Sequence, residues 1–110
     1  MRTYSSVPFS AVKIQGKFWS ERLDTVLTRT IPSQYKQLVS HNMLQSLKLL
    51  QPTPPLTIPR RSNGFTTQIF WDSDIGKWVE AASFALSHRR DAVIEARIEE
   101  IVDDLEKAQE

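Results

Sequence analysis

Cysteine is absent from the 110 residues. That excludes a disulfide framework and any thiolate metal site within the chain. Glycine is scarce, at three residues, and no GxGxxG fingerprint, phosphate-cradling glycine loop or GxSxG elbow is formed with them. No HExxH occurs. The two histidines, His41 and His88, stand far apart, each in a setting that suits a surface or helix-end residue better than a ligand. No run approaches the roughly 18 apolar residues that suggest a membrane span, and the segment from Met1 to Pro8 has no apolar signal-peptide core. The expectation is a cytoplasmic chain with no membrane partner and no metal ligands of its own.

Acidic residues are few in the first half. Residues 1–61 hold nine Lys/Arg against two Asp/Glu, net +7, while residues 62–110 hold five against eleven, net −6. A basic half can mark a nucleic-acid surface. Here the basic residues are scattered singly apart from Arg60-Arg61, without the interleaved aromatics of a single-strand binder, so no nucleic-acid partner is expected. Attraction between the halves, or toward a missing remainder, accounts for the asymmetry.

What is present is ordinary for a globular chain: 40% apolar and 25% charged residues, with three Trp and five Phe that argue against wholesale disorder. Residues 9–16, FSAVKIQG, alternate through Val12 and Ile14 and predict a short strand closed by Gly16. Ser20 is the expected N-cap of a helix carrying Trp19, Leu23, Val26 and Leu27 on one face. Pro32 should break or restart it, because proline lacks an N–H and clashes with the preceding turn. Residues 33–50 read as helical again through Tyr35, Leu38, Val39, Leu44 and Leu47. Residues 51–64 carry four of the six prolines and predict an extended loop. Residues 65–71, FTTQIFW, read as a short strand or an extended lead-in.

Residues 72–110 have the clearest pattern. Asp72, Ser73 and Asp74 offer N-caps for a helix starting near Ile75. Ile75, Trp78, Val79, Ala82, Ala85 and Leu86 form one apolar stripe, with Phe84 on the opposite side, so this helix should pack on two sides. His88, Arg89 and Arg90 follow at its C-terminal end, where positive charge is favoured. Asp91 then caps a second helix. Ile94, Ile98, Ile101, Val102, Leu105 and Ala108 make its single stripe, Glu95, Glu99, Asp103 and Glu106 its wet face, and Asp103 with Lys107 a favourable i,i+4 pair. An antiparallel pair with an inner and an outer member fits these patterns.

Two groups invite a chemical reading. Asp72 and Asp74 are paired carboxylates, the residue types a glycosidase uses as acid and base, but Asp and Ser at a helix start are also the expected caps. Phe70 and Trp71 could form a sugar-stacking platform or simply pack in a core.

The segment FWDSDIGKWVEAASFALSHRRD, residues 70–91, resembles glycoside hydrolase family 127, whose founding activity is hydrolysis of terminal β-L-arabinofuranosides. Phe70, Asp72, Ser73, Asp74, Lys77, Trp78, Glu80, Ala81 and Ala82 match the family's pattern. VKIQGKFWSERL at residues 12–23, Ile31-Pro32-x-x-Tyr35, and EARIEEIVDDLEKAQE at residues 95–110 are similar to other family segments, in the right order. Residues 40–65 diverge.

The resemblance implies a mainly α fold, an incomplete piece of an (α/α)6 barrel with a short N-terminal strand belonging to a flanking sheet. Residues 1–19 would be strand and lead-in, 20–50 helical, 51–71 Pro-rich loop and extended segment, and 72–110 a helix pair in the barrel's first inner and outer layers. The implied reaction is a retaining hydrolysis by a zinc-held cysteine nucleophile with further Cys and Glu ligands and a separate Glu acid/base. None of these can be carried over, so neither catalytic nor zinc-binding residues are assigned. Phe70 alone matches a position that lines the sugar subsite. Trp71 departs from the polar residue often found there, and Gly76 departs too, at a helix-propensity cost of about 1 kcal/mol relative to Ala.

The resulting expectation is an N-terminal, inactive fragment of an enzyme whose substrate is a carbohydrate. The alternative is a stand-alone helical module that binds a protein partner through an exposed stripe. The sequence ends inside an amphipathic stripe with no Gly, Asn or Pro after it, which favours the fragment. The unsatisfied apolar faces further predict poor folding or self-association of the chain alone.

Overall fold

The computed structural model describes residues 3–48 and 71–109, which excludes the Pro-rich segment and Phe70. Five α-helices make up most of what is described: α1 (Lys17–Thr25), α2 (Ile31–Ser40), α3 (Met43–Lys48), α4 (Trp71–Leu86) and α5 (Ala92–Gln109). The mainly α expectation holds. α4 packs against α2, α3 and α5, and α5 also rests on α3. The core consists of Leu27, Ile31, Leu38, Met43, Leu47, Ile75, Trp78, Ala82, Ala85, Ile94 and Ile101. Full burial of side chains such as Ile75 and Ile94 contributes roughly 1.5–3 kcal/mol each.

The strand expected over residues 9–16 does not form. Phe9–Ala11 make a 3-10 turn in which Ala11 N–H donates to the Pro8 carbonyl and Val12 N–H to that of Phe9. Val12 has extended dihedrals, but a strand is stabilised by pairing, and the described residues contain no other strand to pair with. Gly16 opens a helix rather than closing a strand. With φ of 100°, it is the N-cap of α1, and its carbonyl accepts the Ser20 N–H. The helix therefore starts before Ser20, which lies within it.

Pro32 sits in the first turn of α2, where the α-helix restarts, yet the chain stays helical throughout. α1 runs into a π-helical turn, Val26–Thr30, and then into α2 with helical dihedrals at each junction. The Ile31 N–H reaches back five residues to the Val26 carbonyl. The wider turn comes just before the residue that cannot donate and whose ring would crowd the carbonyl four residues back, so the chain continues past proline. The predicted Trp19–Leu23–Val26–Leu27 face is only partly buried: Leu27 is in the core and Leu23 packs against it, while Trp19 is 58% exposed and Val26 lies at the surface.

As far as residue 48, the segment read as helical over 33–50 is divided into two helices, α2 and α3. Asn42 takes φ of 58°, and its N–H donates to Val39 while His41 N–H donates to Gln37. Asn tolerates this left-handed conformation better than most residues, so it ends α2 and allows α3 to set out in a new direction. His41 Nδ1 lies 2.8 Å from the Gln37 carbonyl, which makes it a helix-end histidine.

α4 begins at Trp71, earlier than the expected start near Ile75. Asp72 and Asp74 thus occupy its first turn, where the helix dipole favours negative charge. The Asp72 carboxylate accepts the Ser73 N–H at 2.7 Å. The stripe is as expected: Ile75, Trp78, Ala82 and Ala85 are buried and Val79 and Leu86 pack beside them. Phe84, on the other side, meets Phe9 edge-on at 4.7 Å between ring centroids. The N-terminal arm therefore supplies part of the second contact that the two-sided pattern requires.

Asp91 caps α5 by accepting the Val93 and Ile94 N–H groups at 3.0 and 3.1 Å. Beside it, Arg90 donates twice to Glu95, at 2.7 and 2.9 Å, and these bonds hold the Glu95 carboxyl below its ordinary pKa. Ile94 and Ile101 are buried, but Val102 and Leu105 are partly exposed. Asp103 and Lys107 form no ion pair. Asp104 instead meets Lys48 of α3 at 3.7 Å.

Candidate functional site

The residues around the start of α4 are the ones the sequence singled out. Phe70 lies outside the described residues, and Trp71 opens the helix. The two acidic residues have separate surroundings. Asp72 is exposed and bound to the Ser73 N–H. Asp74 is half-buried and receives the Lys77 ammonium at 3.3 Å. Local contacts thus account for both carboxylates, and the helix-start reading of this cluster explains the geometry better than a catalytic pair does.

Asp74 nevertheless lines a cleft of about 390 Å³ between α2 and α4, together with Lys77, Trp78 and Ala81 of α4, Gln34, Gln37 and Leu38 of α2, and Met43. Asp72 is not among its lining residues. The walls follow from helix spacing: Gln34 and Gln37 are three apart on α2, while Asp74, Trp78 and Ala81 recur at i, i+4 and i+7 on α4. The cleft can offer a carboxylate, an ammonium and two amides for hydrogen bonding, above Leu38, Met43 and the indole. It has no nucleophilic thiol. No local motif marks Gln34, Gln37 or Met43, because their approach to α4 is set by tertiary packing.

Trp78 is the best-anchored side chain beside this cleft. Its indole Nε1–H donates to the Ile31 carbonyl at 3.0 Å in a buried contact. Its ring lies 5.1 Å from that of Tyr35, and the Arg97 guanidinium sits 4.2 Å over the other aromatic, Tyr35. Burial raises the Tyr35 phenol above its usual pKa, Glu100 adds to the rise, and Arg97 opposes it. Three separated stretches of sequence, around residues 31–35, 78 and 97, are thereby tied at one place.

Those stretches also carry a family pattern. Residues 11–110 match the profile described as β-L-arabinofuranosidase, GH127 catalytic domain. The chain belongs to this GH127 family. It is similar to the non-reducing end β-L-arabinofuranosidase of Bifidobacterium longum subsp. longum, with 24% identity over 111 residues, covering 90% of this chain and 17% of that relative. The chain thus spans less than a fifth of the length of the GH127 relative it matches. No solved structure matches it.

Trp78 and the Ile31–Tyr35 segment both lie within the GH127 match and are partners in the core. The chain has no cysteine, and among the described residues no three of His, Asp and Glu converge into a metal-holding group. No helix among the described residues is long and apolar enough to cross a membrane.

Proposed function

We propose that residues 1–110 form the N-terminal part of a GH127 catalytic domain and that their role is architectural: they supply helices to an (α/α)6 barrel acting on terminal β-L-arabinofuranosides, and do not themselves hydrolyse a glycosidic bond. The observation that carries this reading is the GH127 match across residues 11–110 of a chain without cysteine. In the barrel, α4 would be an inner helix and α5 an outer one. The distribution of contacts supports this, since α4 touches α2, α3 and α5 while α5 presents an acidic face to solvent. Phe70, immediately before α4, would line the sugar subsite. We place the chain in the cytoplasm, and we expect it to self-associate through its exposed apolar faces when it is alone.

Hydrolysis needs a general acid and a nucleophile or base placed on either side of the scissile bond. Asp74 is engaged by Lys77 and Asp72 by a backbone N–H, so neither is set up for those roles. The test is an assay of the purified chain with an aryl β-L-arabinofuranoside, with and without added zinc. The expected result is release no faster than in a heat-killed control. Turnover above that control, abolished by Asp74→Asn, would show that the chain carries its own catalytic carboxylate and would overturn the architectural reading.

A further inference from the structure

We draw no further inference here: the strongest candidate, the cleft of about 390 Å³ between α2 and α4 with Gln34, Gln37, Asp74 and Lys77 around its mouth, has a rim open to solvent, and nothing in the structure shows what covers it.

Discussion

Gly76 lies inside α4 on its exposed side, and a Cβ built there would meet nothing within 4 Å. The position has helical dihedrals that any residue adopts, so glycine there only adds freedom to the unfolded chain. Gly76→Ala should stabilise the fold by about 1 kcal/mol, read as a higher urea midpoint at an unchanged slope. A lower midpoint would mean that α4 is not helical at this residue. Trp78 poses the opposite case. Trp78→Phe keeps an aromatic ring but removes the N–H that serves the buried Ile31 carbonyl. The loss should be about 1–3 kcal/mol, with little change in helix content by circular dichroism. An unchanged midpoint would show that the hydrogen bond contributes nothing net. The burial of Trp78 was legible from its place in the Ile75–Leu86 stripe, but its partner was not. A hydrogen bond across 47 residues of sequence leaves no periodic trace.

Asp91 shows where local reading works at the level of the helix. It lies directly before a regular stripe, and its side chain takes up two N–H groups that α5 cannot satisfy internally. Asp91→Ala should cost about 1 kcal/mol and speed amide exchange at Val93 and Ile94, while Asp91→Asn should keep most of the cap. Equal exchange in all three proteins would sink the assignment. The same reasoning misplaced the start of α4, because Asp and Ser suit a cap and Asp suits the first turn as well. Residue type alone does not separate the two positions. At residues 9–16, alternation pointed to an element that does not form, since pairing depends on a partner that alternation cannot reveal. Asn42 was missed for a different reason: apolar residues on both sides of it continue a helical spacing, and one left-handed residue breaks the helix without disturbing that spacing.

Across the whole molecule, apolar side chains are distributed unevenly between core and surface. Val12, Ile14, Phe18 and Trp19 are each at least 45% exposed, and Phe18 and Trp19 meet edge-on at 5.0 Å. Val93 and Val102 leave further apolar surface on α5. Surface of this kind favours association. Sedimentation of the chain at tens of micromolar should therefore reveal species larger than a monomer, and the double substitution Phe18→Ser, Trp19→Ser should reduce them. A compact wild-type monomer that melts cooperatively above about 55 °C, within the usual mesophile range, would overturn this expectation and favour a stand-alone module. The candidate cleft was only half legible. Asp74, Lys77 and Trp78 stood out in the family pattern, whereas Gln34, Gln37 and Met43 are brought to them by the turns at Val26–Thr30 and Asn42.

The π-turn at Val26–Thr30 also fixes an angle. Each residue advances an α-helix by about 100°, and a π-turn accommodates one residue more than an α-helical turn would. Drawn as one regular helix, the stretch from Lys17 to Ser40 would therefore aim Phe18 and Trp19 roughly a quarter-turn or more away from where they stand relative to Ile31 and Leu38. A homologue shorter by one residue in this stretch could therefore straighten the turn into regular α-helix and keep both of its faces. A one-residue gap in an alignment at residues 26–30 would thus mark loss of the π-turn, with the N-terminal aromatics and the core beyond Ile31 keeping their relative headings.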